Sequence, residues 1–187
     1  VGGASRYNYD GDRLENSLVR TEIKAYSVLG DLFVGERFLG RHTFASQFFI
    51  DLGENLDKDR QLLLGADNAL RGYEINTFAG DKRMALNLEE RTHLADDIFQ
   101  LVSLGTAVFV DAGGTTNDAL GSILTDDLYG DVGAGLRLCF PRASGGGIVR
   151  IDVAFPMRDG PDGSNAWSPR VVFAAGQLFG ARLRSET

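Results

Sequence analysis

Val149-Arg150-Ile151-Asp152-Val153-Ala154-Phe155-Pro156-Met157 alternates with a period of two: Val149, Ile151, Val153, Phe155 and Met157 share one face, and Arg150 and Asp152 lie on the other. Side chains of an extended chain point to opposite sides in turn, so the pattern predicts a strand with one wholly aliphatic face. The period recurs upstream. Val102, Leu104, Thr106, Val108 and Val110 oppose Ser103, Gly105, Ala107, Phe109 and Asp111; Val132, Ala134, Leu136, Leu138 and Phe140 oppose Gly133, Gly135, Arg137 and Cys139. A strand of a soluble sandwich packs its apolar face on a core and gives water a face rich in Thr, Lys and Glu. Here the second face carries glycine and charge, which suits a wet space enclosed by strands.

Seven segments with this period are predicted as strands: 15–29, 37–53, 83–94, 100–113, 130–141, 148–157 and 170–179. They are bounded by Gly, Asp, Asn or Pro, and no amphipathic helix of ordinary length interrupts them. At roughly 10–17 residues they exceed the usual soluble strand of ~5–6. Connections alternate in length. Those near 30–36, 95–99 and 142–147 are short; those at 54–82, 114–129 and 158–169 are long. Short turns on one side and long loops on the other is how outer-membrane barrels are built. The expected fold is therefore all-β, about seven antiparallel strands forming the C-terminal part of a transmembrane barrel over 1–187, with 54–82 folding inward as a plug. An odd number of strands leaves open edges that hydrocarbon does not tolerate, so N-terminal strands upstream are expected to complete the wall.

Composition excludes more than it identifies. Among 187 residues there are 24 Gly, against ~13 at average usage, which fits many tight turns. A net charge of −7 argues against nucleic acid as a partner. The lone Cys139 rules out an internal disulfide or a cysteine-based zinc cluster. No apolar run of about 18 residues exists for a spanning helix, whereas barrel strands need only ~9–11. Val1-Gly2-Gly3 has neither the basic head nor the apolar core of a signal peptide, so an export address is expected upstream. His42 and His93 stand in different segments without metal-ligand spacing. There is no Gly-x-Ser-x-Gly elbow, Gly145-Gly146-Gly147 precedes no helix, and Asp51, Glu54, Asp57 and Asp59 lack calcium-loop spacing. No enzyme activity, cofactor or metal is expected.

Several stretches together resemble the BamA-like barrel superfamily of bacterial surface antigens, which includes the BamA and TamA assembly factors and the two-partner-secretion transporters. The resemblance covers about Glu15 to Phe179. It rests on Gly65-Ala66-Asp67-Asn68-Ala69-Leu70-Arg71-Gly72-Tyr73, Asn87-Leu88-Glu89, Phe109-Val110-Asp111-Ala112-Gly113, Gly133-Ala134-Gly135-Leu136-Arg137 and Arg150-Ile151-Asp152-Val153-Ala154-Phe155-Pro156, in that order. It implies a sixteen-stranded barrel in the bacterial outer membrane. Its partners would be the lipid bilayer, unfolded outer-membrane or secreted proteins, and periplasmic domains of the same protein. Assembly of outer-membrane proteins is the leading implied role, and a two-partner-secretion export pore the alternative. From a different class, a soluble β-sandwich binding module competes.

The resemblance further implies that Arg71 sits at the tip of the inward loop and forks onto an inner-wall carboxylate. Gly72 would allow the sharp turn, and Leu70 and Tyr73 would pack the tip against the wall. Asp111 is the favoured partner, because Phe109, Asp111 and Gly113 share the inward parity. Glu89 is the second candidate. A hairpin about 95–99 would set Glu89 near Ser103 or Gly105, ~20 Å along the strand from Asp111, too far for one arginine to hold both. Glu90 turns to the aliphatic face, at a headgroup level. Gly176 and the aromatic Phe179 match the C-terminal strand signal of such barrels. Tyr129 and Trp167 near one set of strand ends, and Phe140 and Phe155 near the other, are expected in interfacial aromatic belts.

Overall fold

The computed structural model describes residues 1–7, 9–10, 13–14, 16–98, 101–140 and 147–176. In chain order the elements are β1 (Gly2–Arg6), β2 (Tyr9–Asp10), β3 (Arg13–Leu14), β4 (Ser17–Val34), β5 (Arg37–Glu54), a 3-10 turn (Lys58–Arg60), β6 (Leu62–Leu64), β7 (Phe78–Gly80), β8 (Lys82–Ile98), β9 (Val102–Thr116), α1 (Ser122–Thr125), β10 (Tyr129–Phe140), β11 (Gly147–Pro156) and β12 (Arg170–Ala175). Eight of these strands form one antiparallel sheet in the order β1-β4-β5-β8-β9-β10-β11-β12; β2–β3 and β6–β7 are small separate pairs. The fold is all-β. Among the described residues the sheet stays open, with β1 and β12 at its edges.

The sheet holds eight strands rather than the expected seven. The additional one, β1, pairs with β4 from Gly2↔Glu22 to Arg6↔Leu18. Gly2-Gly3-Ala4-Ser5-Arg6 has no aliphatic alternation and is exposed throughout, so hydrophobic period could not reveal it. The first expected strand, 15–29, runs on to Val34, leaving Gly35 and Glu36 as the turn, with Gly35 in the left-handed region at φ 63°. The third, 83–94, continues to Ile98, and the fourth starts at Val102 and ends at Thr116. Loop 54–82 has structure of its own, in the 3-10 turn and the β6–β7 pair. Of the last expected strand, 170–179, β12 accounts for 170–175, and residues 177–179 lie outside the described residues.

Burial is inverted relative to a water-soluble sheet. Val108, Val110, Leu136, Val149, Val171 and Phe173 are exposed on one face. On the other, Asp51, Asn87, Asp111, Asp131 and Asp152 are fully buried, and Glu89 nearly so. What buries much of that polar face is loop 54–82. Phe49 and Ala85 of the sheet pack with Leu64, Ala69, Leu70, Tyr73 and Phe78 of the loop, and Tyr129 leans on the cluster. Tyr129 is thus packed under the loop, 5.6 Å from Tyr73 and 4.3 Å from Phe78 by ring centroids, rather than in an outward belt. Its register partner is Gly113, a residue of the covered face. No second sheet covers the aliphatic face among the described residues.

Candidate functional site

The loop reaches the wall through a compact knuckle. The Gly65 carbonyl accepts from the backbone N–H groups of Asn68, Ala69 and Leu70, and Ala66 N–H bonds to Glu74 O, so the two ends of the tip meet. The Asn68 side chain ties it further, accepting from Gly65 N–H and donating to Leu63 O. This local closure projects Leu70-Arg71-Gly72-Tyr73 onto the sheet. All four are buried.

Arg71 grips two strands at once. Its Nε donates to Asp111 Oδ2 at 2.7 Å and a terminal nitrogen to Asp111 Oδ1 at 3.0 Å, a bidentate fork. Its other terminal nitrogen donates to Glu89 Oε2 at 2.7 Å and lies 3.6 Å from Asp152 Oδ2. The guanidinium carbon stands 3.4 Å above the Phe109 ring, a cation–π contact in a desolvated setting. The expectation that Asp111 and Glu89 lie too far apart for one arginine fails on register. Glu89 pairs with Phe109 and Asn87 with Asp111, because β8 continues to Ile98 with irregular pairing beyond His93, which moves the turn towards the C-terminus. Two residues, not six, separate Asp111 from the residue opposite Glu89.

Around this centre the carboxylates are shared. Asn87 Nδ2 bonds both Asp111 Oδ1 and the Ala69 carbonyl, joining wall to loop a second time. Glu89 Oε1 accepts from Arg91 at 2.7 Å and Arg137 at 3.3 Å. Asp152 accepts from Arg137, with Arg150 3.5 Å away. Burial alone would push the Arg71 guanidinium down, but the fork to Asp111 and the nearby charge of Glu89 outweigh it and hold Arg71 above its ordinary value. It is a permanent cation.

Gly72 is set by space. A Cβ there would stand 2.7 Å from Asp131 Cβ and 3.1 Å from Pro156 N. Gly113 is similar: a Cβ would meet Met84 O at 2.6 Å and the Ala85 Cβ at 2.9 Å. Tyr73 is fully buried, edge-on to Phe78 and Tyr129, and its hydroxyl donates to Arg158 O at 2.9 Å, with Gly130 O at 3.2 Å. Burial pushes its phenol up to about 12.

Arg71, Gly72, Tyr73, Glu89, Phe109, Asp111 and Gly113 therefore meet in one place. Gly176 does not join them; it follows β12 at φ 82°, donating its N–H to Ile148 O. Phe179 lies outside the described residues. Glu90 lies on the aliphatic face, where its Oε1 sits 2.5 Å from His42 Nδ1 and accepts from the Thr92 hydroxyl at 2.9 Å. Sequence reasoning did not assign Asn87, Arg91, Asp131, Arg137, Arg150 or Asp152 to the site. Their shared parity was visible, but alternation assigns a face and not a partner. No family model and no curated protein matches the chain.

Proposed function

We propose that this chain is the C-terminal part of a transmembrane β-barrel of the bacterial outer membrane that assembles, inserts or translocates other proteins, with loop 54–82 as an internal plug locked by Arg71. The observation that carries the reading is the inverted sheet. Aliphatic side chains stand exposed on one face while carboxylates, an asparagine and arginines are buried on the other. In water this arrangement leaves a large apolar surface uncovered; in a bilayer it faces acyl chains, with the polar face turned to a lumen.

Two further features support it. Strands β4, β5, β8, β9, β10 and β11 run 18, 18, 17, 15, 12 and 10 residues, enough for the ~9–11 that a tilted crossing needs. Glu89 on β8 and Asp152 on β11 approach the same Arg71 nitrogen, although three strand spacings span ~14 Å in a flat sheet. A sheet that curls around its loop accounts for this. Among the described residues β1 and β12 present open edges, which hydrocarbon would not tolerate; on this reading further strands of the same protein pair with them and close the wall.

On this reading a permanent cation gripping two strands fixes the plug in one pose and sets the shape of the lumen. Burying the charges costs much of what their attraction returns, so the lock specifies a conformation more than it adds stability. A charge exchange tests it. Arg71→Asp and Asp111→Arg should each impair barrel assembly or substrate passage, and the double variant should recover part of the loss. Recovery stays partial because Glu89 remains facing the new Asp. Single variants that assemble and pass substrate like the parent would refute the lock.

A further inference from the structure

We propose that the segment 157–169 between β11 and β12 is a clasp that couples docking of the Arg71 tip to retention of the edge strand β12 on the sheet. The inference goes beyond the membrane reading and does not need it, since it stands on contacts within the chain.

The clasp holds the tip beside the wall, at the Tyr73 hydroxyl that also reaches Gly130 O of β10. Asp162 Oδ2 accepts the Glu74 N–H at 2.8 Å and lies 3.3 Å from the Thr77 hydroxyl. The Tyr73 hydroxyl donates to the Arg158 carbonyl, and Arg170 lies 3.7 Å from Glu74. Gly160 lies against the Tyr73 ring so closely that a Cβ would stand 2.8 Å from Cδ1. These five contacts join residues 73 to 77 of the tip to residues 158 to 162 of the clasp and to Arg170, the first residue of β12.

The segment is also built to keep its shape. Ser164 donates its N–H and its hydroxyl to Asp162 Oδ1, at 3.1 Å and 2.5 Å. Gly160 N–H bonds to Ser164 O, Gly163 N–H to Gly160 O, and Ala166 N–H to Asp159 Oδ1. Trp167 takes the left-handed backbone at φ 64° while its N–H returns to the Pro156 carbonyl. A segment closed on itself in this way transmits a displacement instead of absorbing it.

Its far end is an edge strand of the sheet among the described residues. β12 pairs with β11 over six residues, Arg170 to Ala175, and has no second neighbour among the described residues. Val171 and Phe173 stand exposed. Arg170, the first residue of β12, is the residue that reaches Glu74 of the tip. Release of the tip therefore removes one restraint at the entry of β12, the Arg170–Glu74 contact, and by linkage fraying of β12 loosens the tip by the same factor.

Hydrogen exchange on the folded full chain reads this directly, with Asp162→Ala and Tyr73→Phe cutting the clasp and Arg71→Lys loosening the wall. Each should speed exchange of the β12 amides between 170 and 175 by ~5-fold or more, the lower bound of a typical coupling, with β4 and β5 unchanged. Asp162→Ala should also speed exchange in 73–77. The proposal fails if Arg71→Lys loosens 65–77 while β12 exchanges as in the parent. It also fails if the two clasp variants leave β12 unaffected. Should Arg71→Lys not fold, the clasp variants decide alone. Because the amides are read whether the chain is in buffer or in detergent, failure here is distinct from failure of the barrel reading.

Discussion

Replacing Arg71 by alanine would leave Asp111 and Glu89 buried with no matching cation from the loop. Removing one partner of a buried pair costs ~3–5 kcal/mol, so denaturant unfolding of Arg71→Ala should show a loss of that order. Arg71→Lys keeps the charge but not the fork, and a single ammonium cannot span Asp111 on β9 and Glu89 on β8 as the guanidinium does. Its loss should be smaller, ~1.5–3 kcal/mol, the worth of charged hydrogen bonds. The contrast is the exposed pair of Arg41 with Asp31, where Arg41→Ala should change stability by only ~0–1 kcal/mol. An equal effect at Arg41 and Arg71 would mean the buried cluster has no special role. At Gly72 the argument is volume. A methyl pressed against Asp131 and Pro156 must displace the tip, and Gly72→Ala should cost ~1–3 kcal/mol in the same measurement.

Among elements, the clasp carries a pH dependence with a definite sign. Burial would raise the Asp162 carboxyl, but hydrogen bonds from Ser164, Glu74 and Thr77 outweigh it and hold it below its ordinary value. A depressed carboxyl contributes stability above its unfolded pKa of ~3.9 and loses it as pH falls through the folded value. Tyr73 runs the other way. Its phenol is raised to about 12, so its contribution is whole below ~10 and is lost as pH climbs from there through the folded value. Protection of amides 73–77, taken relative to their intrinsic exchange rate at each pH, should therefore fall in acid, and Asp162→Asn should flatten that acid limb. Tyr73→Phe should flatten the alkaline one. An acid limb unchanged in Asp162→Asn would assign it to other carboxylates. Legibility in the sequence divided along the same line. Alternation around Val149 to Met157 was enough for strand type and face, and parity put Asp111 and Phe109 together. It could not supply register. Whether Glu89 stands opposite Phe109 or Gly105 depends on where β8 ends, and Asp96-Asp97, residue types common in turns, lie inside β8 and not after it. β1 escaped because glycine, alanine and serine have no apolar period, and the clasp because most of its bonds use backbone groups, which residue type does not reveal. Nor does alternation say whether a sheet closes: among the described residues β1 and β12 stand at its edges.

For the whole molecule, the solvent of the aliphatic face decides between the readings. Val108 and Val110 are 54% and 44% exposed and sit on the middle strands of the meander, paired with Ala134 and Val132 of β10. If that face meets water, Val108→Lys and Val110→Lys are ordinary surface changes, within about ±0.5 kcal/mol, and should improve solubility. If it meets acyl chains near the bilayer midplane, each should cost ~2–4 kcal/mol, falling towards zero for lysine placed near the interfaces. Folding the full chain into vesicles and titrating with denaturant measures both substitutions against the parent. A depth-dependent penalty at Val108 and Val110 is the expected outcome. Variants as stable as the parent, monomeric in plain buffer, would instead describe a soluble sheet whose apolar face needs another cover, and the outer-membrane assignment would have to be given up with Arg71 still locked to its wall.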